Sequence, residues 1–293
     1  MFKIVNKQLL AKDSKRLDIE SPQIAKNVLP GQFVMVVTDE NSEWIPITVM
    51  EADASRGIIS LIVQEVGPST RQLANKPINE ELFSVMGPLG QPMKIEKFGV
   101  VVCAATGLGV AQILPICRAF KKAGNKVIGV MGAKTRKLLM LEAQMRLSCH
   151  QLIITTDDGS YEHKGQANEI VRELLETQEI NLVYTTGSVA MMKAIAGLTR
   201  KFGVKTLVKL NPMMLCGAGI CGSCRVKVGG KEVLACECGP IFEAQSVDYD
   251  DLRIRKEAFA SASIDQGFAF SAETLTNPES IKQMFSNFLK ETK

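Results

Sequence analysis

The chain has 293 residues, 46% of them hydrophobic, and its formal net charge at pH 7 is +4. This length allows two or three domains with ordinary hydrophobic cores. The small charge is scattered apart from residues 134–137, which gives no indication of nucleic-acid binding. No apolar run approaches the roughly 18 residues of a membrane span, and the N-terminus lacks the apolar segment of a signal peptide. We therefore expect a cytoplasmic protein.

Residues 1–97 predict a small β-barrel, because short runs rich in valine and isoleucine follow one another at close spacing. Turn-forming residues separate them, as at Pro30-Gly31 and Arg56-Gly57. The predicted strands cover residues 2–10, 16–19, 32–37, 45–50 and 58–66.

A candidate phosphate site precedes a predicted short helix in this barrel. Gly67-Pro68-Ser69-Thr70-Arg71 offers hydroxyl groups, backbone N–H groups and one cation. The segment fits a flavin pyrophosphate. It is also compatible with an ordinary helix start in which Ser69 or Thr70 is the N-cap.

Residues 98–210 predict an α/β domain, because strands and helices alternate as they do around a parallel sheet covered on both faces. The predicted strands are residues 100–104, 127–131, 151–155, 182–185 and 206–209. The predicted helices are residues 110–123, 138–146, 166–176 and 189–202.

Two glycine-containing turns follow strands of this domain at one edge of the sheet: Thr106-Gly107-Leu108-Gly109 and Thr186-Gly187-Ser188. At such a junction the helix N-terminus presents N–H groups to an anion, commonly a dinucleotide pyrophosphate. One turn of this kind is also explained by close packing alone, whereas two at one edge favour a nucleotide crevice. Asp157-Asp158-Gly159-Ser160 lies on the same edge, as part of the crevice or as a solvated turn.

Residues 211–254 contain four cysteines in the pattern Cys216-x4-Cys221-x2-Cys224-x11-Cys236. This is the spacing of plant-type [2Fe-2S] ligands. The intervening glycines permit backbone conformations that turn N–H groups toward sulfur. Gly229-Gly230 predicts a hairpin turn between strands 225–228 and 233–236, which returns Cys236 to the other three cysteines.

Other roles for these cysteines fit the spacing less well. A structural zinc site usually carries two CxxC pairs, and only Cys221 and Cys224 form one. Disulfides are typical of secreted chains. Cys238 is a spare thiol or an alternative fourth ligand. Three cysteines isolated in apolar segments are expected to be core residues: Cys103, Cys117 and Cys149.

These motifs together resemble those of the ferredoxin-NADP-reductase-like electron-transfer subunits. That family includes the electron-transfer subunit of dihydroorotate dehydrogenase, the gamma subunit of sulfhydrogenase, and the small subunit of NADH-dependent reduced ferredoxin:NADP oxidoreductase, or sulfide dehydrogenase, which is the most similar of the three. The resemblance extends over roughly residues 1–254. It is carried by Gly87-Pro88-Leu89-Gly90, Gly132-Ala133-Lys134-Thr135-Arg136, Thr155-Thr156-Asp157-Asp158-Gly159-Ser160-Tyr161, Met191-Met192-Lys193-Ala194, Leu210-Asn211-Pro212 and Cys221-Gly222-Ser223-Cys224-Arg225.

The resemblance implies a FAD-binding barrel, an NAD(P)-binding α/β domain and a C-terminal [2Fe-2S] lobe. The implied flavin contacts are Thr48, Gly67, Ser69 and Thr70. The implied nucleotide contacts are Gly107, Gly109, Asp157, Gly187 and Met191. Electrons would pass between NAD(H), FAD and the cluster, with no acid–base residue required. The terminal acceptor would belong to a larger flavin and iron–sulfur subunit, in a complex of the electron-bifurcating kind, with ferredoxin as a further candidate partner.

Several features depart from the family pattern. Trp44 stands where the family usually has an arginine that meets the flavin phosphate, and Ala105 and Thr106 replace two glycines of the nucleotide turn. Cys216 stands where the most similar relatives have an aspartate. Residues 255–293 form a polar tail without a counterpart, with a predicted helix over 278–290.

Two alternatives therefore stay open. One is a relay subunit that retains only the cluster. The other is the electron-transfer subunit of a dihydroorotate dehydrogenase or a hydrogenase. The residues leave open the direction of electron flow and the preference between NAD and NADP.

Overall fold

The computed structural model describes residues 2–265, with side chains as far as residue 258. The predicted helix over 278–290 lies outside the described residues. No helix within the described range is long enough and apolar enough to span a membrane.

The first of two large sheets is antiparallel and forms the predicted barrel. Its strands are β1 (Phe2–Ala11), β2 (Ser14–Glu20), β3 (Phe33–Val37), β4 (Trp44–Asp53), β5 (Ile58–Gln64), β6 (Glu81–Leu82) and β7 (Ser84–Leu89), paired in the order β6-β1-β2-β5-β4-β3-β7. All five predicted strands are present. Two short helices, α1 (Pro22–Asn27) and α2 (Pro68–Asn75), join them.

Strand β4 has one face in the barrel core and one face outside it. Ile45, Ile47 and Val49 are buried in the core, as the two-residue period of a strand requires. Trp44 and Thr48 therefore lie on the outward face, where they are half-buried. On this face Trp44 and Thr48 contact other parts of the molecule, while Pro46 between them is exposed.

The second sheet contains all five predicted parallel strands. Its members are β8 (Val100–Thr106), β9 (Lys126–Ala133), β10 (Gln151–Thr156), β11 (His163–Lys164), β12 (Leu182–Thr186), β13 (Thr206–Lys209) and β16 (Ile241–Glu243), in the order β11-β10-β9-β8-β12-β13-β16. The helices are α3 (Gly109–Lys122), α4 (Glu142–Ser148), α5 (Ala167–Thr177) and α6 (Val189–Lys201). The chain builds outward from β8 in one direction and then from β12 in the other, so the switch point lies between these two neighbouring strands.

One predicted helix is shorter than expected. Residues 138–146 were predicted as helical throughout, but a single 3-10 turn, Arg136–Leu138, is followed by extended chain and then by α4. Leu141 has a φ of 61°, in the left-handed region, and this conformation separates the two segments.

The segment after β13 is a small lobe joined to the second sheet. Its hairpin consists of β14 (Arg225–Val228) and β15 (Lys231–Leu234), with positive φ at both Gly229 and Gly230, as a type I′ turn requires. Strand β16 pairs antiparallel with β13. The predicted division at residue 210 therefore separates strands that share a sheet, and the domain limits stay predictions.

Helix α7 (Tyr249–Asp265) follows the lobe and was not predicted. Its sequence has little apolar periodicity, but ion pairs one turn apart support it, Arg253 with Glu257 and Arg255 with Asp251.

A shared hydrophobic cluster joins the barrel, the α/β sheet and the lobe. Phe33 and Met35 of β3 pack there with Val208 of β13 and with Cys224 and Cys236 of the lobe. We call it the junction core. Because one core contains side chains from all three regions, their relative placement is set by packing.

Two buried tyrosines, Tyr184 in the α/β sheet and Tyr249 in α7, differ in the hydrogen bonding of their hydroxyl groups. Tyr184 is fully buried and, within the described side chains, its hydroxyl has no hydrogen-bond partner, whereas the Tyr249 hydroxyl donates to Ala244 O at 3.0 Å. We expect Tyr184→Phe to leave stability unchanged or raise it, and Tyr249→Phe to cost about 1 kcal/mol. Urea unfolding of both variants measures the difference. Equal destabilisation by the two changes would contradict the finding that only the Tyr249 hydroxyl, of the two, is hydrogen-bonded.

Candidate functional site

The four spaced cysteines lie in the lobe as two pairs of thiols, and among the described residues no three of them are placed to hold a single metal ion. Cys221, Cys224 and Cys236 are buried, and Cys216 is partly exposed. The Sγ atoms of Cys224 and Cys236 lie 3.2 Å apart, and Cys216 and Cys221 hydrogen-bond to each other. Two pairs of sulfurs are the donor set that two iron atoms require, with two thiolates on each.

Backbone N–H groups of the same loop point at these sulfurs. Ala218 and Cys221 each donate to Cys216 Sγ at 3.4 Å, and Gly219 donates to Cys236 Sγ at 3.2 Å. The loop reaches this shape because Gly217, Gly219 and Gly222 have φ of 68°, 77° and 73°, where a side chain is disfavoured. N–H donors to sulfur stabilise the thiolate form that binds metal.

Hydrogen bonding gives the two thiols of each pair different pKa values. Hydrogen bonding from Cys221, together with backbone N–H groups, lowers the pKa of Cys216 to about 5. Hydrogen bonding with Cys236 likewise lowers the pKa of Cys224 to about 7. Each pair therefore contains one thiol that ionises readily near neutral pH.

The remaining cysteines are elsewhere. Cys238 is exposed, and its backbone N–H donates to Leu234 O rather than to a sulfur. Cys103, Cys117 and Cys149 are buried in the hydrophobic core of the α/β region, which confirms their prediction as core residues.

The two predicted glycine turns meet at the switch point, but their glycines differ in role. A Cβ added at Gly107, where φ is 55°, would meet nothing within 4 Å. A Cβ at Gly109 would lie 2.8 Å from Thr186 O, and one at Gly187 would lie 2.5 Å from Thr106 Oγ1. Gly109 and Gly187 thus allow β8, α3 and β12 to approach closely, while Gly107 borders open space.

Asp157 and Met191 lie at different distances from this crevice. Asp157 is exposed and follows β10, which is separated from β8 by β9. The Met191 side chain is buried, and its Sδ accepts a hydrogen bond from Thr106 Oγ1 at 3.3 Å. Met191 therefore supports the first glycine turn from the buried side, through its contact with Thr106.

The predicted flavin residues carry hydrogen bonds within the protein. The N-cap of α2 is Gly67, not Ser69 or Thr70 as the alternative in the sequence had it; Thr70, the third helical residue, accepts a hydrogen bond at Oγ1 from Gly67 N at 3.0 Å. Ser69 Oγ donates to the Glu43 carboxylate. A Cβ added at Gly67 would meet nothing within 4 Å, so the backbone at the helix start stays accessible. Trp44 packs against the junction core.

Thr48 has a partner that the sequence analysis missed. Lys209, at the end of β13, is 3% exposed, and its Nζ donates to Thr48 Oγ1 at 2.7 Å and to Gly31 O at 3.0 Å. Burial lowers the pKa of Lys209 to about 7. The available signal was a lysine in a strand of a buried parallel sheet, where charged residues are rare.

Helix α7 reaches the crevice through a second lysine. Lys256 Nζ donates to Asn211 Oδ1 at 3.1 Å, and Asn211 Nδ2 donates to Gly187 O at 3.2 Å. The helix that the sequence analysis missed therefore supports the second glycine turn.

Comparison with known proteins identifies the family. Residues 211–248 match the iron-sulfur cluster binding domain of dihydroorotate dehydrogenase B. Over 249 residues the chain is 36% identical to a dihydroorotate dehydrogenase B (NAD(+)) electron transfer subunit homolog from Thermotoga maritima, covering 85% of this chain and 88% of that one. A chain from the solved structure of NADH-dependent reduced ferredoxin-NADP oxidoreductase, studied for flavin-based electron bifurcation, is 34% identical, with a TM-score of 0.86 over 94% of this chain and 98% of that chain. Amycolatopsis cytochrome P450 reductase, 16% identical with a TM-score of 0.58 over 69% and 65% of the two chains, shares the fold alone.

An antiparallel barrel, a parallel α/β sheet and a four-cysteine lobe define an electron-transfer protein of the ferredoxin-reductase class. The chain belongs to the family of dihydroorotate dehydrogenase B electron transfer subunits and their homologs. It is an electron-transfer subunit of an oxidoreductase, which confirms the predicted fold class and function.

Burial of Lys209 makes stability depend on pH. Its pKa is about 7 in the folded protein against an ordinary value of 10.5, so between these values the unfolded chain binds more protons and stability rises with pH. We expect Lys209→Met to stabilise the protein near ~pH 7, by at most about 5 kcal/mol at about 1.4 kcal/mol per pH unit. The gain should shrink toward ~pH 10 as the native lysine loses its proton in both states.

Urea unfolding at several pH values measures this gain, with no flavin added. Lys205→Met is the control, because Lys205 is exposed just before the same strand. A stability difference between native protein and Lys209→Met that is constant across pH would contradict the account.

Proposed function

We propose that this subunit passes electrons between NAD(H), one FAD and one [2Fe-2S] cluster, and delivers them to a larger flavin and iron–sulfur subunit. The proposed cluster ligands are Cys216, Cys221, Cys224 and Cys236. The proposed flavin contacts are Thr48, Gly67, Ser69 and Thr70. The proposed nucleotide contacts are Gly107, Gly109, Asp157, Gly187 and Met191, with Met191 acting from beneath the turn.

One observation carries the proposal: the cysteine loop packs against β3, the barrel strand that pairs with β4, and β4 carries Thr48. A Cβ at Gly217 would lie 2.5 Å from Met35 Cγ of β3. Met35 is the register partner of Pro46, which lies between Trp44 and Thr48 on β4. A cluster in the loop and a flavin on the outward face of β4 would therefore be neighbours.

The residues of each site suit the group proposed for it. A bound flavin supplies the conversion between two-electron hydride chemistry and single-electron transfer. The chain supplies the Thr48 hydroxyl, open space beside Gly67 at the start of α2, and four thiols with N–H groups donated to sulfur. Two features favour weaker binding of the flavin phosphates than in arginine-bearing relatives. Trp44 replaces the arginine, and the Glu43 carboxylate next to Ser69 places a negative charge near the phosphates.

The visible spectrum of the protein as isolated, followed by anaerobic addition of NADH, tests the proposal. We expect flavin and iron–sulfur absorption together, and bleaching of the flavin band by NADH. Iron–sulfur absorption alone, with no FAD uptake from solution, would instead support the relay alternative. Flavin that binds but is reduced by neither NADH nor NADPH would contradict the nucleotide site.

Copurification from the native host addresses the partner. The related oxidoreductase is named for NADH, reduced ferredoxin and NADP, and it was studied for electron bifurcation. We extend that assembly to this chain as a proposal, and expect a larger flavin and iron–sulfur subunit to coelute with it.

The cluster assignment gives a paired prediction. Cys221→Ser removes a buried thiol from the loop and should abolish stoichiometric iron and sulfide. Cys238→Ser is the matched control, two residues beyond the loop's last cysteine and exposed, and should retain both. Iron and sulfide analysis with EPR of the reduced protein measures the outcome. An unchanged signal in Cys221→Ser, or loss of signal in Cys238→Ser, would show that the ligands are misassigned.

The nucleotide assignment gives a second pair. Gly107→Ala places a methyl group in the open space beside the first turn, and we expect it to raise the Kd for NADH on the order of tenfold, about 1.4 kcal/mol. Gly124→Ala is the control, because Gly124 also has positive φ, 82°, and nothing within 4 Å, but lies at the far end of α3. Titration of NADH against both variants decides. An equal rise in the Kd for NADH in both variants would mean that backbone strain, and not a blocked nucleotide site, causes the effect of Gly107→Ala.

A further inference from the structure

Lys209 is a buried cation with neutral partners. Its two hydrogen-bond acceptors are the Gly31 carbonyl, at 3.0 Å, and the Thr48 hydroxyl oxygen, at 2.7 Å. Burial alone lowers its pKa. A buried charge without an opposite charge is unfavourable for folding, so this lysine is a candidate for a functional role.

The hydrogen bond from Lys209 determines what the Thr48 hydroxyl can do. Below its pKa of about 7, Lys209 is an ammonium group, which donates and cannot accept, whereas a hydroxyl has one donor hydrogen and two acceptor lone pairs. Because Lys209 Nζ occupies a lone pair of Thr48 Oγ1, the hydroxyl hydrogen must point elsewhere. Within the described side chains Thr48 donates to no protein acceptor, and it lies half-buried on the outward face of β4.

We propose that Lys209 is a positioning residue of the flavin site, which holds Thr48 as a hydrogen-bond donor toward the flavin ring. The proposal rests on the proposed function, in which Thr48 contacts FAD. The oxidised ring offers nitrogen and carbonyl acceptors, so a hydroxyl with a fixed donor direction binds it better than one that rotates freely. The positive charge beside that hydroxyl also favours the electron-rich reduced ring over the oxidised ring.

Two readouts separate this role from simple structural support. The midpoint potential reports the ratio of affinities for reduced and oxidised flavin, so a lysine that only supports the fold changes both affinities equally and leaves the potential unchanged. We expect Lys209→Met to raise the Kd for oxidised FAD about tenfold. We also expect it to lower the flavin midpoint potential by about 30 mV, the equivalent of a tenfold change in that ratio for a two-electron couple.

A double-mutant cycle with Thr48→Val tests whether Lys209 acts through Thr48. In the Thr48→Val background, Lys209→Met should change the Kd for FAD by no more than about twofold. Lys205→Met is the control, and should leave Kd and potential unchanged. Equilibrium titration of the full chain with FAD, monitored by flavin fluorescence, and spectroelectrochemistry give the two quantities, both at ~pH 6, where Lys209 keeps its proton.

The possible outcomes are distinct. Failure of the native chain to bind FAD would overturn the proposed function and this inference with it. Tight FAD binding with additive effects in the cycle, or with an unchanged potential, would overturn only the role of Lys209. If Lys209→Met does not fold, Lys209→Arg keeps a cationic donor and should bind FAD within about threefold of native. A tenfold weaker affinity at native thermal stability would then overturn the inference.

Discussion

The junction core determines how the candidate sites are arranged. Side chains from the barrel, the parallel sheet and the lobe pack into one hydrophobic cluster, with Met35 beneath the cysteine loop and Val208 on the strand that ends in Lys209. Close packing tolerates little displacement, so the cysteines, the outward face of β4 and the switch point are held in a fixed relation. An electron carrier needs this constraint, because its redox groups must stay close together for electrons to pass between them.

Lys209 joins the parallel sheet to the barrel by hydrogen bonds, beside the apolar contacts of the junction core. It connects β13 of the parallel sheet to β4 and to the turn before β3 by two hydrogen bonds, and it does so at a cost in stability that an apolar residue would avoid. Strand β13 lies between β12 and β16, and its pairing with β16 connects the lobe to the parallel sheet. Fold stability and site geometry therefore depend on the same few strands, and a change in one affects the other.

Local sequence patterns predicted most of the architecture. The barrel strands and the parallel strands follow from runs of valine and isoleucine between turns, and the cysteine spacing with the hairpin signal places four thiols in one lobe. The helix predicted over residues 138–146 was too long, because the left-handed conformation at Leu141 leaves no mark on apolar periodicity. Helix α7 was missed because its sequence has little apolar periodicity: Tyr249 and Leu252 pack into the junction core, and ion pairs one turn apart also support the helix.

Contacts between distant segments could not be predicted in the same way. Lys209 and Thr48 are 161 residues apart, and no local pattern pairs them. The contrast between Gly107 and Gly109 is also invisible in the sequence, because it depends on whether a neighbouring strand or open space faces each glycine. The occupied hydroxyl of Ser69 depends in the same way on Glu43, from a different turn of the barrel.

A flavin that connects the nucleotide to the cluster is the central element of the proposed function, and a single-turnover experiment tests it most directly. The purified chain, loaded with FAD, is reduced anaerobically with dithionite until the cluster is reduced, and it is then mixed rapidly with NAD+. Forming NADH takes two electrons, which the reduced flavin supplies, and the cluster then passes its single electron to the oxidised flavin. We expect NADH to form and the cluster signal to decay, and both changes to disappear in protein stripped of FAD. A cluster that stays reduced in the flavin-loaded protein, or one that is oxidised at the same rate without flavin, would contradict this role of the flavin.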